Sequence, residues 1–277
     1  MTSEPQKQPK RIKKEVEIAA SPAAVWKALT DGEELARWFP LSARVKPGKD
    51  GSIFLSWGPG CEGEAKIDAW EPQQLFRWIE MAAEQVGPQG VTIEWRLEPA
   101  RAGGGKTLVR LVQSGFSTGA DWEEEYFGST DYGWGFMLTN LRYYLERHAG
   151  NPRLVAWPRL KVALSREEAH RRLVAPGGLF REGAGGLVAG TEYMLESATG
   201  ESFEGQVEFV KPPRGFCVSV RHLNDALLWL TIEGSGAEHD VQLWLSTYGL
   251  SQTKVDGFAK QWEGVLERVF SGAEVKP

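Results

Sequence analysis

Between residues 52 and 113 the apolar side chains recur at every second position in short runs; between 134 and 145 they recur at every third or fourth. The first period belongs to half-buried strands and the second to an amphipathic helix. One long helix cannot bury an apolar stripe alone. A chain with this switch therefore needs a sheet that bends around the helix.

The elements before the switch are short. Ile12, Val16 and Ile18 share one parity, which predicts a strand over 11–20. Ser21 is a good N-cap and Pro22 suits the first helical position, so a helix carrying Val25 and Leu29 follows. Asp31-Gly32 breaks it, and a second short helix with Leu35, Trp38 and Phe39 runs to Pro40. Strands then follow in GSIFLSW, AKIDAW, LFRWIE, VTIEWRLE and TLVRLVQ, with turns at Gly58-Pro59-Gly60, Glu71-Pro72-Gln73 and Gly103-Gly104-Gly105. Trp134, Leu138, Leu141 and Leu145 mark a closing helix of about four turns. The order reads strand, two short helices, a run of short strands, long helix: an antiparallel meander rather than βαβ units.

The second half repeats this plan more loosely. AKIDAWEPQQLF (65–76) aligns with GQVEFVKPPRGF (205–216), so Ile67 matches Val207, Pro72 matches Pro212 and Phe76 matches Phe216. LLWLTIE (227–233) and DVQLWLS (240–246) match the last two strands, and Trp134, Leu138, Leu141 and Leu145 match Phe258, Trp262, Val265 and Val269. Ser165 with Glu168 forms a capping box that opens a helix. The alternative is two unrelated domains of similar strand rhythm. The expectation is a frayed tail over 1–10, a first domain over 11–150 and a second, divergent one over 158–272. LVAPGGLF replaces the second short helix, and the glycine-rich 183–190 replaces a fuller strand pair, which predicts a reduced or collapsed interior in the second copy. The fold class expected is α+β, in tandem, each copy a curved antiparallel sheet wrapped around a long C-terminal helix.

IKKEVEIAASPAAVWKALTDGEELARWF, WEPQQLFRW, LVQSGF and the helix beginning Gly133-Trp134 together resemble the activator of heat-shock protein 90 ATPase-like family within the START/SRPBCC superfamily. Gln73 stands where that family's turn carries a second proline. The resemblance covers about 11–148; the second half resembles the superfamily in outline only. It implies the helix-grip fold and a domain that often encloses an apolar pocket. It does not imply one activity, because members include carriers, cyclases and co-chaperone domains.

Composition removes several classes. The net charge of -5 argues against nucleic acid or an anionic membrane as the main partner. No apolar run reaches the ~18 residues of a membrane helix, and no signal-type stretch follows the basic N-terminus, so the expected compartment is the cytoplasm. Cys61 and Cys217 are far apart, and the four histidines are scattered, so neither a disulfide scaffold nor a metal site is expected, and no cofactor. Gly105-Lys106-Thr107 lacks the first glycine of a P-loop, Val188 spoils a dinucleotide fingerprint, and no G-x-S-x-G or H-E-x-x-H occurs. Cys61 reads as a bystander beside Glu62.

The 12 tryptophans either fill two cores or line an aromatic pocket. The candidate ligand-binding residues are Trp38, Phe39, Trp57, Trp78, Trp95, Phe116, Trp134, Leu138 and Leu141, with Trp38 and Phe39 as a gate at the mouth. Asp121, Glu123, Glu124 and Glu125 read as a solvated acidic loop, or as a lid through the interleaved Trp122, Tyr126 and Phe127. In LLWLTIE both parities are apolar, so Leu227, Trp229 and Trp244 predict a face packed on the first domain or on a second protomer. The leading function is a non-catalytic protein that binds a small apolar or aromatic ligand. A co-chaperone-like interaction module with a chaperone partner comes second. A polyketide-cyclase-like enzyme comes third, because it needs an inward-facing acid–base pair and alternation turns Glu94 and Arg96 outward.

Overall fold

The computed structural model describes residues 10–80, 90–100, 104–116, 121–271 and 275–276. The expected frayed tail lies outside them, apart from Lys10. The chain divides into two compact units, Met1–Gly150 and Asn151–Pro277.

The first unit opens with strand β1 (Ile12–Ile18), helix α1 (Pro22–Thr30) and the short helix α2 (Gly32–Ala36). Ser21 Oγ accepts the Ala24 N–H and Asp31 accepts the Glu34 N–H, so each helix start has a side-chain cap. Six strands follow: β2 (Ser42–Lys46), β3 (Ser52–Ser56), β4 (Glu62–Glu71), β5 (Leu75–Glu80), β6 (Val91–Pro99) and β7 (Thr107–Ser114). They form one antiparallel sheet in the order β1-β7-β6-β5-β4-β3-β2. Helix α3 (Asp121–Tyr143) closes the unit and runs into a π-helical turn over Tyr144–His148.

In the second unit, β8 (Arg153–Ala156) and β9 (Arg159–Val162) precede helix α4 (Arg166–Val174), which Ser165 caps at the Glu168 N–H. Then come β10 (Glu192–Glu196), β11 (Ser202–Lys211), β12 (Gly215–Val220), a 3-10 turn (Arg221–Leu223), β13 (Ala226–Glu233), β14 (His239–Tyr248), helix α5 (Gln252–Val269) and β15 (Val275–Lys276). The sheet order is β10-β11-β12-β13-β14-β9-β15, with β8 also pairing β14. Read from its first strand, β9-β14-β13-β12-β11-β10 repeats β1-β7-β6-β5-β4-β3 of the first unit.

The repeat extends to an irregularity. The β4–β5 register slips between Ile67 and Ala69, and the β11–β12 register slips between Val207 and Phe209. These are the positions that the alignment of 65–76 with 205–216 places opposite one another. A bulge bends its strand and increases the twist, so both sheets curve at the same point. The fold is therefore α+β, with two antiparallel sheets, each followed by a long helix.

One expectation needs correction. The acidic run is not a loop: α3 begins at Asp121, about three turns before Trp134. Carboxylates in the first turns of a helix favour its macrodipole, and that outweighs their modest intrinsic propensity. Glu124 pairs with Lys10 and Asp131 pairs with Lys14 at 2.8 Å. The second interior is filled by aromatic side chains. Trp262 stacks on Phe258 with centroids 5.3 Å apart and meets Phe203 at 5.7 Å and Phe180 at 6.4 Å. Residues 183–190 carry no strand, as expected, and Val188 is 60% exposed there.

Candidate functional site

The first interior is built by the inward parity of three strands and one stripe of α3. Phe76 and Trp78 on β5, Ile93 and Trp95 on β6, and Val109 and Leu111 on β7 are all buried, as are Trp134, Leu138 and Leu141. The structure brings six of the expected aromatic residues into one ring network. Trp38 meets Phe39 at 5.2 Å and Trp95 at 5.8 Å; Phe39 meets Trp57 at 5.3 Å and Trp134 at 5.1 Å. Trp95 adds Trp134 at 5.5 Å and Trp78 at 6.3 Å. Phe116 sits apart from this chain of rings, against Tyr126 and Phe127 at 5.7 and 5.1 Å.

Trp38 is pinned from two sides. Its indole N–H donates to Ala28 O at 2.8 Å, and its own carbonyl accepts from Asn140 Nδ2 at 2.6 Å. It has no exposure. Trp57 is half-buried at the edge of the network.

The hydrogen bonds of the other indoles differ. Trp134 donates to Gln113 Oε1, and Gln113 is 3% exposed. Trp78 and Trp95 are each 1% exposed, and their indole N–H groups have no acceptor. A buried unpaired donor costs about 1–3 kcal/mol, so such groups in a native fold call for an account.

Glu80 supplies part of that account. It follows Phe76 and Trp78 at the same parity, so β5 carries a carboxyl group on its inward side. Burial pushes the Glu80 pKa above the usual carboxylate range. The nearby Trp78 indole N–H works the other way, favouring the carboxylate. Tyr126, two turns before Trp134 on α3, is also pushed up, first by burial and then by the Glu80 charge; Thr130 and Gln113 oppose the shift. Glu80, Gln113 and Tyr126 thus form a polar cluster at one end of an aromatic interior.

The outward parity is charged, as alternation required. Arg77 binds Asp68 through two nitrogens at 2.9 Å and reaches Glu94 at 3.1 Å, while Arg96 holds Glu94 at 2.7 Å. Glu94 and Arg96 are therefore not an inward acid–base pair. The sequence reading missed Glu80 because it scored only the apolar members of LFRWIE; counting the parity to the end of the strand would have found it.

Among the described residues no cluster of three metal-ligating side chains occurs, and no helix is long and apolar enough to cross a membrane. Cys61 is exposed and Cys217 buried. Leu227, Trp229 and Trp244 are buried and lie outside the interior cluster of the second unit. Trp157 packs on Trp244 at 4.7 Å and donates to Gln242 at 2.9 Å.

A curved antiparallel sheet gripping a C-terminal helix over an aromatic interior defines a helix-grip domain, here twice. Residues 19–146, within the first unit, match the profile of the family described as Activator of Hsp90 ATPase homolog 1-like protein. No curated protein matches the chain. Among solved structures, the Aha1 dimer from Colwellia psychrerythraea is 22% identical, covers 50% of this chain and 98% of its own, and has a TM-score of 0.42. CalU16 from Micromonospora echinospora is 21% identical over 49% of this chain and 75% of its own, with a TM-score of 0.40. The di-domain ARO/CYC BexL from the BE-7585A biosynthetic pathway is 11% identical over 97% of this chain and 100% of its own, with a TM-score of 0.45. The tandem fold rests on strand order and register rather than on these likenesses.

Proposed function

We propose that the first unit binds a small, flat apolar or aromatic molecule that carries a hydrogen-bond acceptor. The observation behind this is the pair of buried, unpaired indole N–H groups of Trp78 and Trp95 beside an inward carboxyl group. Apolar area buried on the ligand supplies affinity at ~25 cal/mol per Å². The indole donors and Glu80 fix its orientation, as the few polar groups of an apolar site do. Glu80 in its protonated form donates to the ligand's acceptor; ionised, it accepts from a hydroxyl. Native mass spectrometry of protein isolated from its own host is expected to reveal a co-purifying aromatic molecule. Protein that carries none, and that also fails to retain any member of a panel of aromatic carbonyl compounds, would remove the reading.

The inward Glu80–Tyr126 pair favours a second reading, proton transfer on the bound molecule. A raised carboxyl pKa suits general acid–base work near neutral pH. The check is chemical change in the retained molecule. Conversion by the native protein but not by Glu80→Gln, with retention unchanged, would make the unit an enzyme. The protein-interaction reading draws on the family description alone. A pull-down with the host's heat-shock protein 90 that retains the chain would favour it over a ligand site.

A further inference from the structure

The second unit has a pocket of its own. It encloses about 220 Å³ between the first half of α5, β14 and the turn before β11. Its floor is apolar: Leu223, Leu245, Val255 and Phe258. Lys254 and Gln261, four residues before Phe258 and three after it, border the pocket from the same face of α5. Glu201 borders it from the turn before β11.

The position matches the polar cluster of the first unit. Phe76 pairs with Trp95 and Trp95 with Leu111; the aligned Phe216 pairs with Leu230 and Leu230 with Leu243. Two residues on, Leu245 therefore holds the place of Gln113, and on the helix Phe258 holds the place of Trp134. Both units thus use the same end of the grip, although the residues there differ in kind.

The charges at the rim are uncommitted. Lys254 forms no ion pair and Gln261 no side-chain hydrogen bond among the described residues. Glu201 has only His222, at 3.9 Å, and does not pair with Lys254. Opposite charges that line one pocket without meeting leave both for a ligand. A simple carboxylate would answer Lys254 but face Glu201 as a like charge, and a simple amine would do the reverse.

We propose that this pocket binds a small zwitterion with a compact aliphatic body, the chemistry of an aliphatic α-amino acid. By scale from an apolar cavity of about 150 Å³ that holds benzene, the space takes ~9 non-hydrogen atoms. The carboxylate lies toward Lys254 and Gln261, the ammonium toward Glu201, and the branched side chain on Leu245 and Phe258. The proposal concerns the second unit and stands independently of the reading of the first.

Isothermal titration calorimetry on the full chain tests it with L-leucine, isocaproate, which lacks the ammonium, and isoamylamine, which lacks the carboxylate. Leucine is expected to bind about fivefold more tightly than either, the scale of one exposed charge pair each. Lys254→Gln should cancel its advantage over isoamylamine, and Glu201→Gln its advantage over isocaproate. Gly257→Leu adds bulk at the pocket's border: Gly257 lines it, and a Cβ there meets nothing within 4 Å, so the helix tolerates the change. Binding of all three should disappear in that variant while its melting temperature is kept. Absence of leucine binding, a leucine affinity no better than that of both analogues, or heat that survives Gly257→Leu would each overturn the proposal. Because Gly257→Leu leaves the first unit untouched, failure here is separate from failure of the aromatic site.

Discussion

Replacing Trp95 and Trp134 separately by Phe isolates the worth of one indole N–H, because the two residues touch each other and differ in hydrogen bonding. Trp134 donates to Gln113, whereas Trp95 donates to nothing. Each substitution removes about 40 Å³ of side chain, which at ~24 cal/mol per Å³ costs ~1 kcal/mol in cavity. Trp134→Phe also strands the buried Gln113, adding ~1–3 kcal/mol. Trp95→Phe instead deletes an unsatisfied donor and recovers ~1–3 kcal/mol. The expected totals are ~2–4 kcal/mol of destabilisation at Trp134 and from ~0 to ~2 kcal/mol of stabilisation at Trp95. For a unit of this size, 1 kcal/mol moves the melting temperature by roughly 2–4 °C. Differential scanning calorimetry of the ligand-free protein therefore separates the two variants by several degrees, with Trp95→Phe the more stable. If both lose the same stability, the Trp95 N–H is satisfied in the empty protein, and the argument for a ligand acceptor falls. The reverse ranking applies to binding: Trp95→Phe should lose ligand affinity because it removes a donor the ligand uses.

Glu80 has a raised pKa in the folded protein, so the folded state holds its proton more strongly than the unfolded state does. Stability then falls as pH rises from the ordinary carboxylate range through the folded pKa, and is flat above it. Glu80→Gln should abolish that slope and leave the protein at least as stable at neutral pH; melting curves across pH 4–8 that keep the slope in the variant would reject the assignment. Gly115 lies at φ +101°, and a Cβ there would stand 2.2 Å from Gly90 O. Gly115→Ala should cost more than ~2 kcal/mol in urea unfolding, because it adds backbone strain to a clash next to Phe116. Leu227, Trp229 and Trp244 are buried although they lie outside the interior cluster of the second unit. Trp229→Glu would bury a charge there and is expected to lower the melting temperature, and a variant that melts like the native protein would dismiss the idea.

What the sequence disclosed, and what it hid, follows from which interactions are local. Alternation in VTIEWRLE placed Val91, Ile93, Trp95 and Leu97 inside because a strand's two faces are set by the backbone. The alignment of 65–76 with 205–216 pairs the positions at which the structure carries a bulge in each sheet. The start of α3 was hidden because Asp121 to Glu125 offers no apolar stripe; just beyond it Tyr126 and Phe127 pack on Phe116. The site itself was half legible. Its aromatic walls follow from parity and residue type. Which indole finds an acceptor depends on the depth of Gln113 across the sheet, a tertiary distance that no spacing encodes. Glu80 was within reach of the parity argument, but a carboxyl group on an inward position contradicts the expectation that charges face water, and so it was passed over.

The two units make one further test of that site. By register, Val218 and Val220 on β12 hold the places of Trp78 and Glu80, and Leu230, Leu245 and Phe258 hold those of Trp95, Gln113 and Trp134. These five hydrogen-bonding positions of the first interior are thus apolar in the second, although strand order and bulge are the same. The scaffold therefore does not need the polar set. Transplanting the second unit's residues as Glu80→Val, Gln113→Leu and Trp134→Phe replaces both partners of the Trp134–Gln113 contact at once, a change that can be nearly neutral where single deletions are costly. The triple variant should melt within a few degrees of the native protein, well above Trp134→Phe alone, and should fail to retain any aromatic carbonyl compound the native protein retains. A triple variant that unfolds would assign the polar cluster to stability. One that folds and still retains the ligand would remove Glu80 and Gln113 from the site.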